Sequence, residues 1–287
     1  MATDTEPTTT VQDRYEPTTA VPWLHQVKAF ALRTLRELFR NRSALFWGLV
    51  SPVFFYVLFG VIVPQGPSSG AYKASNAVAF GVFGAFSVTL VIFAATLSAD
   101  LTNKRYRKLR SLPIAPSADV LGRFVGGFAL AVVSFSLVLA VGLVTGASFA
   151  LRGLLSIPIV LTSLFLFCLL SVAAAVLVAA VIDEGEYIVG VTNMLVLGLF
   201  FVTGYNGLVP GLMPEPLPGL VNYVPNALAA RLGIYHLTTI GPNGPLSPPP
   251  LPTGPEYLAL LAGYTVVIGA VASVVMRRYI YAGDGGE

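Results

Sequence analysis

The stretch ADLTNKRYRKLRSLPIAPSADVLGRF, residues 99–124, separates two long apolar runs. Five of the seven residues from Lys104 to Arg110 are basic. Between Lys104 and Leu112 the apolar residues Tyr106, Leu109 and Leu112 recur every third position. That spacing gathers them on one face of a short helix, with basic residues around them. Pro113 and Pro116 end the helix. Ser117 is placed to cap the next one, with Asp119 near its positive end. The stretch is expected to be a short, basic, one-sided helix joined stiffly to the run that follows.

The rest of the chain says what the stretch interrupts. Of 287 residues, 55% are hydrophobic and only 11% charged, and the mean hydropathy is +0.76. Soluble domains carry about 25% charged residues. There is too little polar surface here to cover a water-soluble globule, so the class is an integral membrane protein with several helices. The one cysteine, Cys168, excludes an intramolecular disulfide and a cysteine metal site. The two histidines, His25 and His236, lie in unlike stretches and form no metal motif. Residues 1–21 are polar and carry an imperfect repeat, EPTTTV at 6–11 and EPTTAV at 16–21. They have no apolar core of a signal peptide and are expected to be a disordered tail.

Six apolar runs are long enough to cross a bilayer: about 44–63, 77–99, 124–147, 154–182, 187–209 and 257–276. The fold class is therefore all-α, with six transmembrane helices. The fourth run contains Pro158 and is expected to tilt or bend there. Asp183–Glu186, DEGE, makes a tight turn between the fourth and fifth. Ahead of the first run, residues 22–42 alternate an apolar face (Trp23, Leu24, Val27, Phe30, Ala31, Leu35, Leu38) with a basic one (Lys28, Arg33, Arg36, Arg40). This is the pattern of an amphipathic helix lying on a membrane surface, and Pro22 suits its start. Residues 210–256 hold 12 of the 21 prolines. Within them PNALAARLGIYHL, 225–237, reads as a short helix with Asn226 as N-cap and Gly233 weakening its second half.

Orientation follows from Lys and Arg. With the N-terminus inside, 14 of the 17 fall in inside segments, and only Lys73, Arg152 and Arg231 lie outside. Both termini, the second ending in a tail at 281–287, are expected in the cytoplasm. The basic stretch then protrudes into the cytoplasm. It is either an anchor on lipid phosphates or a docking helix for a partner. Lys and Arg suit both; the apolar stripe and the paired prolines are explained only by docking.

On these features the chain resembles the ABC-2 type exporter permeases, membrane subunits of ATP-driven drug, lipid and polysaccharide exporters. The resemblance covers residues 22–280. It rests on the amphipathic helix, the six runs, and the loop RKLRSLPIAPSADVLGR, similar to that family's Leu-Arg-Leu-x-x-x-Pro loop leading to Gly-Lys or Gly-Arg. Here Leu109, Arg110, Leu112 and Pro113 are followed by Gly122 and Arg123. YVPNALAARLGIYHL also resembles the family's segment before the last span, with Asn226 in it and Arg231 at a recurrent Arg. The resemblance implies that loop 100–121 docks on a separate ATPase subunit. Tyr106, Leu109 and Leu112 would pack into it, Arg107 and Arg110 would pair with its acidic rim, and DEGE would either brace that contact or be a solvated turn. It implies two permease subunits, a homodimer or heterodimer, in the plasma membrane. It implies a re-entrant hairpin within 210–256, and ATP and Mg on the partner with no cofactor in this chain.

Absences fit. No G-x-x-x-x-G-K-[ST] stretch is present, so the chain does not itself cradle ATP phosphates, and no nucleic-acid partner is expected. The cores of the six runs contain no ionisable residue, which weighs against an ion-coupled secondary transporter. Thr192 and Asn193 in the fifth run either contact cargo or bond a neighbouring helix. The outside loops offer no nucleophile–base pair, which weighs against a membrane enzyme. A structural membrane subunit is a further alternative. Apolar runs with few polar groups suit a hydrophobic or amphipathic cargo.

Overall fold

The computed structural model describes residues 21–63, 67, 69–105, 114–182, 185–246 and 249–281; among them there is no strand. Helix α1 is Trp23–Arg40. Pro22 stands before it, and its carbonyl accepts from the N–H groups of His25 and Gln26. The buried face is Val27, Ala31, Thr34 and Leu38, a four-three-four spacing. The face is rotated from the expected one: Thr34 is buried, whereas Leu24 is exposed.

Helix α2, residues 42–62, changes pitch twice. It widens to π-helix at Phe46–Val50 and Val57–Ile62, around an α-helical Ser51–Tyr56. The first widening adjoins Pro52, which has no N–H to give the carbonyl four residues back. That carbonyl is Gly48's, and Ser134 Oγ donates to it at 2.5 Å. A neighbouring helix thus satisfies the acceptor that proline leaves open, as an apolar surrounding demands.

Helix α3, Gly70–Thr102, starts at Ser69, whose Oγ accepts from the Tyr72 N–H, and passes through one π stretch at Val88–Ile92. It is enclosed by the rest of the chain along its apolar length. Helix α4, Pro116–Val144, runs antiparallel to it. A Cβ on Gly81 would meet the Phe135 ring at 2.8 Å, and one on Gly84 would meet Ser134 Oγ at 2.4 Å and Pro52 at 2.8 Å. Small residues set this spacing, because lipid supplies no hydrophobic drive and only close packing holds the helices.

Helix α5 is Ser156–Val181, α6 is Gly185–Val202, and α7 is Pro225–Leu237. Helix α8 is Pro255–Val275 and runs on through a π turn, Met276–Tyr281. Helix α8 packs on α5, where Thr265 Oγ1 donates to Leu166 O at 3.1 Å. Helix α7 is buried against α3 and α5.

Among the described residues, four helices are long and apolar enough to cross a membrane: Gly70–Thr102, Ser117–Val144, Ser156–Val181 and Pro255–Arg278. The remaining two expected spans contain shorter apolar helices, Gly48–Ile62 and Tyr187–Val202. The fifth run therefore stops as helix at Val202, not 209, because the backbone turns left-handed beyond it.

Four residues show how local signals meet the structure. Pro158 lies in the first turn of α5, where no N–H is needed, and the helix runs unbroken past it to Val181. Ser117 is not the cap of α4; Ala115 precedes Pro116 there, and Ser117 Oγ instead accepts from Trp23 Nε1 at 3.1 Å. Asn226 is not the cap of α7; Val224 is, with Pro225 at the first helical position. Gly233, a weak helix former, lets α7 approach α3, since a Cβ there would lie 2.8 Å from Val78 Cγ1.

Candidate functional site

Residues 106–113 connect α3 to α4, so Tyr106, Arg107, Leu109, Arg110, Leu112 and Pro113 lie outside the described residues. Residues 1–20, Asp183, Glu184 and 282–287 do as well. Both stems of the loop are described, and they are tied together by charge.

Arg123, on the second turn of α4, is 3% exposed. Its Nε meets Asp119 Oδ1 at 2.8 Å, one turn back, and its Nη2 meets Asp100 Oδ2 on the last turns of α3. Asp100 also receives Arg105 Nη1 at 2.7 Å and Arg33 Nη2 of α1 at 3.4 Å. Arg33 Nε meets Glu37 Oε1 at 2.7 Å. Three arginines and three carboxylates thus join α1, the end of α3 and the start of α4. Taking such charges out of water costs several kcal/mol per ion unless each is paired. Here Asp100 faces three guanidinium groups, and Arg123 faces two carboxylates.

The same end is closed by shape. A Cβ on Gly122 would lie 2.4 Å from Phe30 Cβ and 2.7 Å from Val27 O, and one on Gly126 would lie 2.9 Å from Ala31 O. Ala115 N–H donates to Gln26 Oε1 at 2.9 Å. Contacts advance together along both chains, so α1 runs beside the start of α4 in the same direction. The Gly-x-x-x-Gly at 122–126 makes this close crossing possible.

A cleft of about 380 Å³ opens at this end between the α1–α2 junction, α3 and α6. Asn193 lines it, together with Phe83, Val91, Ala95 and Val196. Thr192, its neighbour, is fully buried elsewhere, and its Oγ1 donates to Ile188 O of its own helix at 2.7 Å. The two residues expected together are thus separated: Asn193 faces the cleft and Thr192 does not.

At the opposite end the three outlying basic residues each hold a loop. Lys73 Nζ donates to Thr145 O at 3.1 Å. Arg152 Nε donates to Tyr235 O at 2.5 Å and its guanidinium lies 4.2 Å from the Tyr235 ring centre. Arg231 is fully buried; its Nε donates to Asn222 Oδ1 at 2.6 Å and its Nη1 to Gly207 O at 2.7 Å and Leu246 O at 3.2 Å, while Nη2 reaches Pro249 O. Burial pulls its guanidinium down to about 10, so it stays charged near neutrality. Asn226 Nδ2 reaches Asn206 Oδ1 at 2.7 Å and Thr203 Oγ1 at 2.9 Å, beside Arg231's contact with Gly207. Gly204, Tyr205, Asn206 and Gly207 all have positive φ, at 62°, 54°, 56° and 77°. A left-handed turn costs about 1–2 kcal/mol per non-glycine residue. Asn206 is held in it by Asn226 and by its own Nδ2 bond to Ala79 O at 3.1 Å; Tyr205 is held by the Phe59, Phe200 and Phe201 rings, centred 5.4–5.6 Å away.

A family model described as ABC-2 type transporter matches residues 25–223, well over half of the chain. The chain belongs to the ABC-2 type transporter family. It is thus a membrane component of an ABC transporter and not a catalytic subunit. The matched residues take in α1 from His25 onward, the loop stems with their ion pairs, and the cleft; Asn226 and Arg231 lie beyond them. No curated protein compared with the chain matches it.

The sequence marks Arg123 as the end of a motif and Asp119 as an acid near a helix dipole. It does not mark Asp100 and Glu37 as partners in the cluster, nor the left-handed turn. The signals present were a lone acid on each side of a basic loop, and glycines flanking Tyr205 and Asn206.

Proposed function

We propose that this chain is the permease subunit of an ABC exporter, worked by a separate ATPase subunit that docks on loop 100–121 at Tyr106, Arg107, Leu109, Arg110, Leu112 and Pro113. Six spans, counting α2 and α6, put both termini and the loop in the cytoplasm. The permease acts in the plasma membrane as one of two such subunits, a homodimer or heterodimer, and moves a hydrophobic or amphipathic cargo outward. ATP and Mg belong to the partner. The observation that carries this reading is the ion-pair cluster at the root of the loop. Both loop stems and α1 are fastened to one another there, so a push on the loop moves α1, α3 and α4 as one body. The single extended residue Asn41 links α1 to α2 and passes the displacement to a further span. An anchor that only touched lipid would have no use for a rigid root.

The test is transport in cells. Leu109→Asp is expected to abolish ATP-coupled transport while the protein still inserts. Normal transport by that variant would remove the docking assignment. Neutralising Arg107 and Arg110 together separates docking from topology: an inserted but inactive variant supports docking, and an inserted, fully active one supports the anchor.

A further inference from the structure

The cleft beside Asn193 has a chemistry of its own. It follows α3 from Phe83 to Ala99, about 24 Å at 1.5 Å per residue. A volume of about 380 Å³ spread along that length is a slot for a chain, not a chamber for a globular body. It falls within the size range of small-molecule sites. Its walls are largely aliphatic and aromatic. Of its hydroxyls, Ser87 Oγ is bound to Phe83 O at 3.0 Å and Thr96 Oγ1 to Phe93 O at 3.0 Å, both within their own helix. The Asn193 amide makes no hydrogen bond among the described residues, so it is the polar group the slot has to offer.

The mouth differs in charge from the walls. It shares Glu37 and Asn41 with an open depression that also holds Arg40 and Arg42. Glu37 is already occupied by Arg33 at 2.7 Å, with Arg105 at 3.8 Å. Arg40 and Arg42 are exposed and form no ion pair with a described residue. The mouth therefore presents two guanidinium groups, unpaired among the described residues, over an apolar slot. Guanidinium groups at a membrane surface favour phosphate and carboxylate oxygens.

We propose that this slot binds a single-chain anionic amphiphile as cargo, its acidic head on Arg40 and Arg42 and its tail between α3 and α6. Asn193 then meets a polar linkage part-way down the tail. This names the substrate class for the permease reading and rests on it. A cationic amphiphile would meet the wrong sign at the mouth. A two-chain bilayer lipid has the same head chemistry but one tail too many for the slot.

The test uses the full chain, purified without any ATPase and placed in phosphatidylcholine nanodiscs. Two fluorescent probes share a dodecyl tail and carry either a phosphate or a trimethylammonium head. The phosphate probe is expected to bind saturably and at least ~10-fold more tightly, with affinity falling as salt rises. Arg40→Gln with Arg42→Gln should erase that preference, and Ala95→Trp, which fills the slot, should weaken both probes. Because Ala95→Trp can disturb folding, the exposed arginine pair, checked for an unchanged unfolding temperature, decides the matter. Equal binding of the two heads, or full phosphate preference in the arginine double variant, overturns the proposal. Loss of probe binding when phosphatidylglycerol is added to the nanodiscs also overturns it, by assigning the slot to resident lipid. The permease reading is judged separately, by recovery of an ATPase with the chain from cells. Anionic binding without an ATPase would sink coupling and spare the slot; an ATPase without anionic binding would do the reverse.

Discussion

Arg123 and Asp100 meet across the two stems of the basic loop, 23 positions apart in sequence and buried on both sides. Asp119 holds Nε of the same guanidinium at 2.8 Å. The pair closes the loop at its root and turns an otherwise open connection into a bracket.

Breaking the bracket should be costly. Arg123→Gln leaves Asp119 and Asp100 buried with their shared cation gone. Removing one partner of a buried pair costs about 3–5 kcal/mol. The variant is expected to unfold at a clearly lower temperature in detergent. Arg105→Gln removes a cation whose side chain is 40% exposed, and solvent screening should make its effect small, within about 1 kcal/mol. Comparable losses for the two variants would contradict the assignment of the bracket to Arg123.

The α1–α4 crossing gives a glycine test with its own control. Gly122→Leu drives a side chain into Phe30 and the Val27 carbonyl, and overpacking of this kind costs about 1–3 kcal/mol. Beyond its chain neighbours and its own helix backbone, Gly127 has nothing within 4 Å of its Cβ position. Gly127→Ala should be neutral or stabilising by up to ~1 kcal/mol, since alanine is the better helix former. Limited proteolysis of α1 reads the difference: release in the first variant, protection in the second.

At the far end, Gly207→Ala is strained twice. Its φ of 77° disfavours any Cβ, and that Cβ would lie 2.7 Å from Arg231 Cδ. Arg231→Met leaves the carbonyls of Gly207, Leu246 and Pro249 without their donor. Each unsatisfied buried acceptor costs about 1–3 kcal/mol. Both variants should lower the unfolding temperature, and their effects should fall short of additive because they act on one node. Full additivity would place them in separate units.

His236 sets a pH dependence. Burial, then the Arg152 guanidinium, holds its imidazole below the usual range. The folded state therefore binds its proton less readily than the unfolded chain. Stability is fully present above the unfolded value of about 6.5 and declines as pH falls through the window below it. His236→Gln should flatten the fall in unfolding temperature between neutral pH and pH ~5. An unchanged slope would assign the effect to other groups.

Much of the architecture was legible because local chemistry decides it. The apolar runs, Pro22 before α1 and the buried Val27, Ala31 and Leu38 follow from period and propensity. Charge distribution separated Lys73, Arg152 and Arg231 from the loop cluster, and the structure puts those two groups at opposite ends. What was not legible depends on partners distant in sequence. Nothing local distinguishes Asp100 from a solvated acid; only α4 folding back makes it the centre of a cluster. Gly233 reads as a helix weakness until α3 is beside it. Tyr205 carries no helix-breaking chemistry of its own; Asn206 and the flanking glycines tolerate the left-handed region, but the turn is fixed only by Asn226, Ala79 and the surrounding rings.

The most direct measurement is recovery of the tagged chain from its native cell in mild detergent, with mass spectrometry of what accompanies it. The account predicts a stoichiometric P-loop ATPase, lost when Leu109→Asp is introduced. A chain that is recovered alone, even after crosslinking, would contradict it and reduce the loop to a membrane anchor.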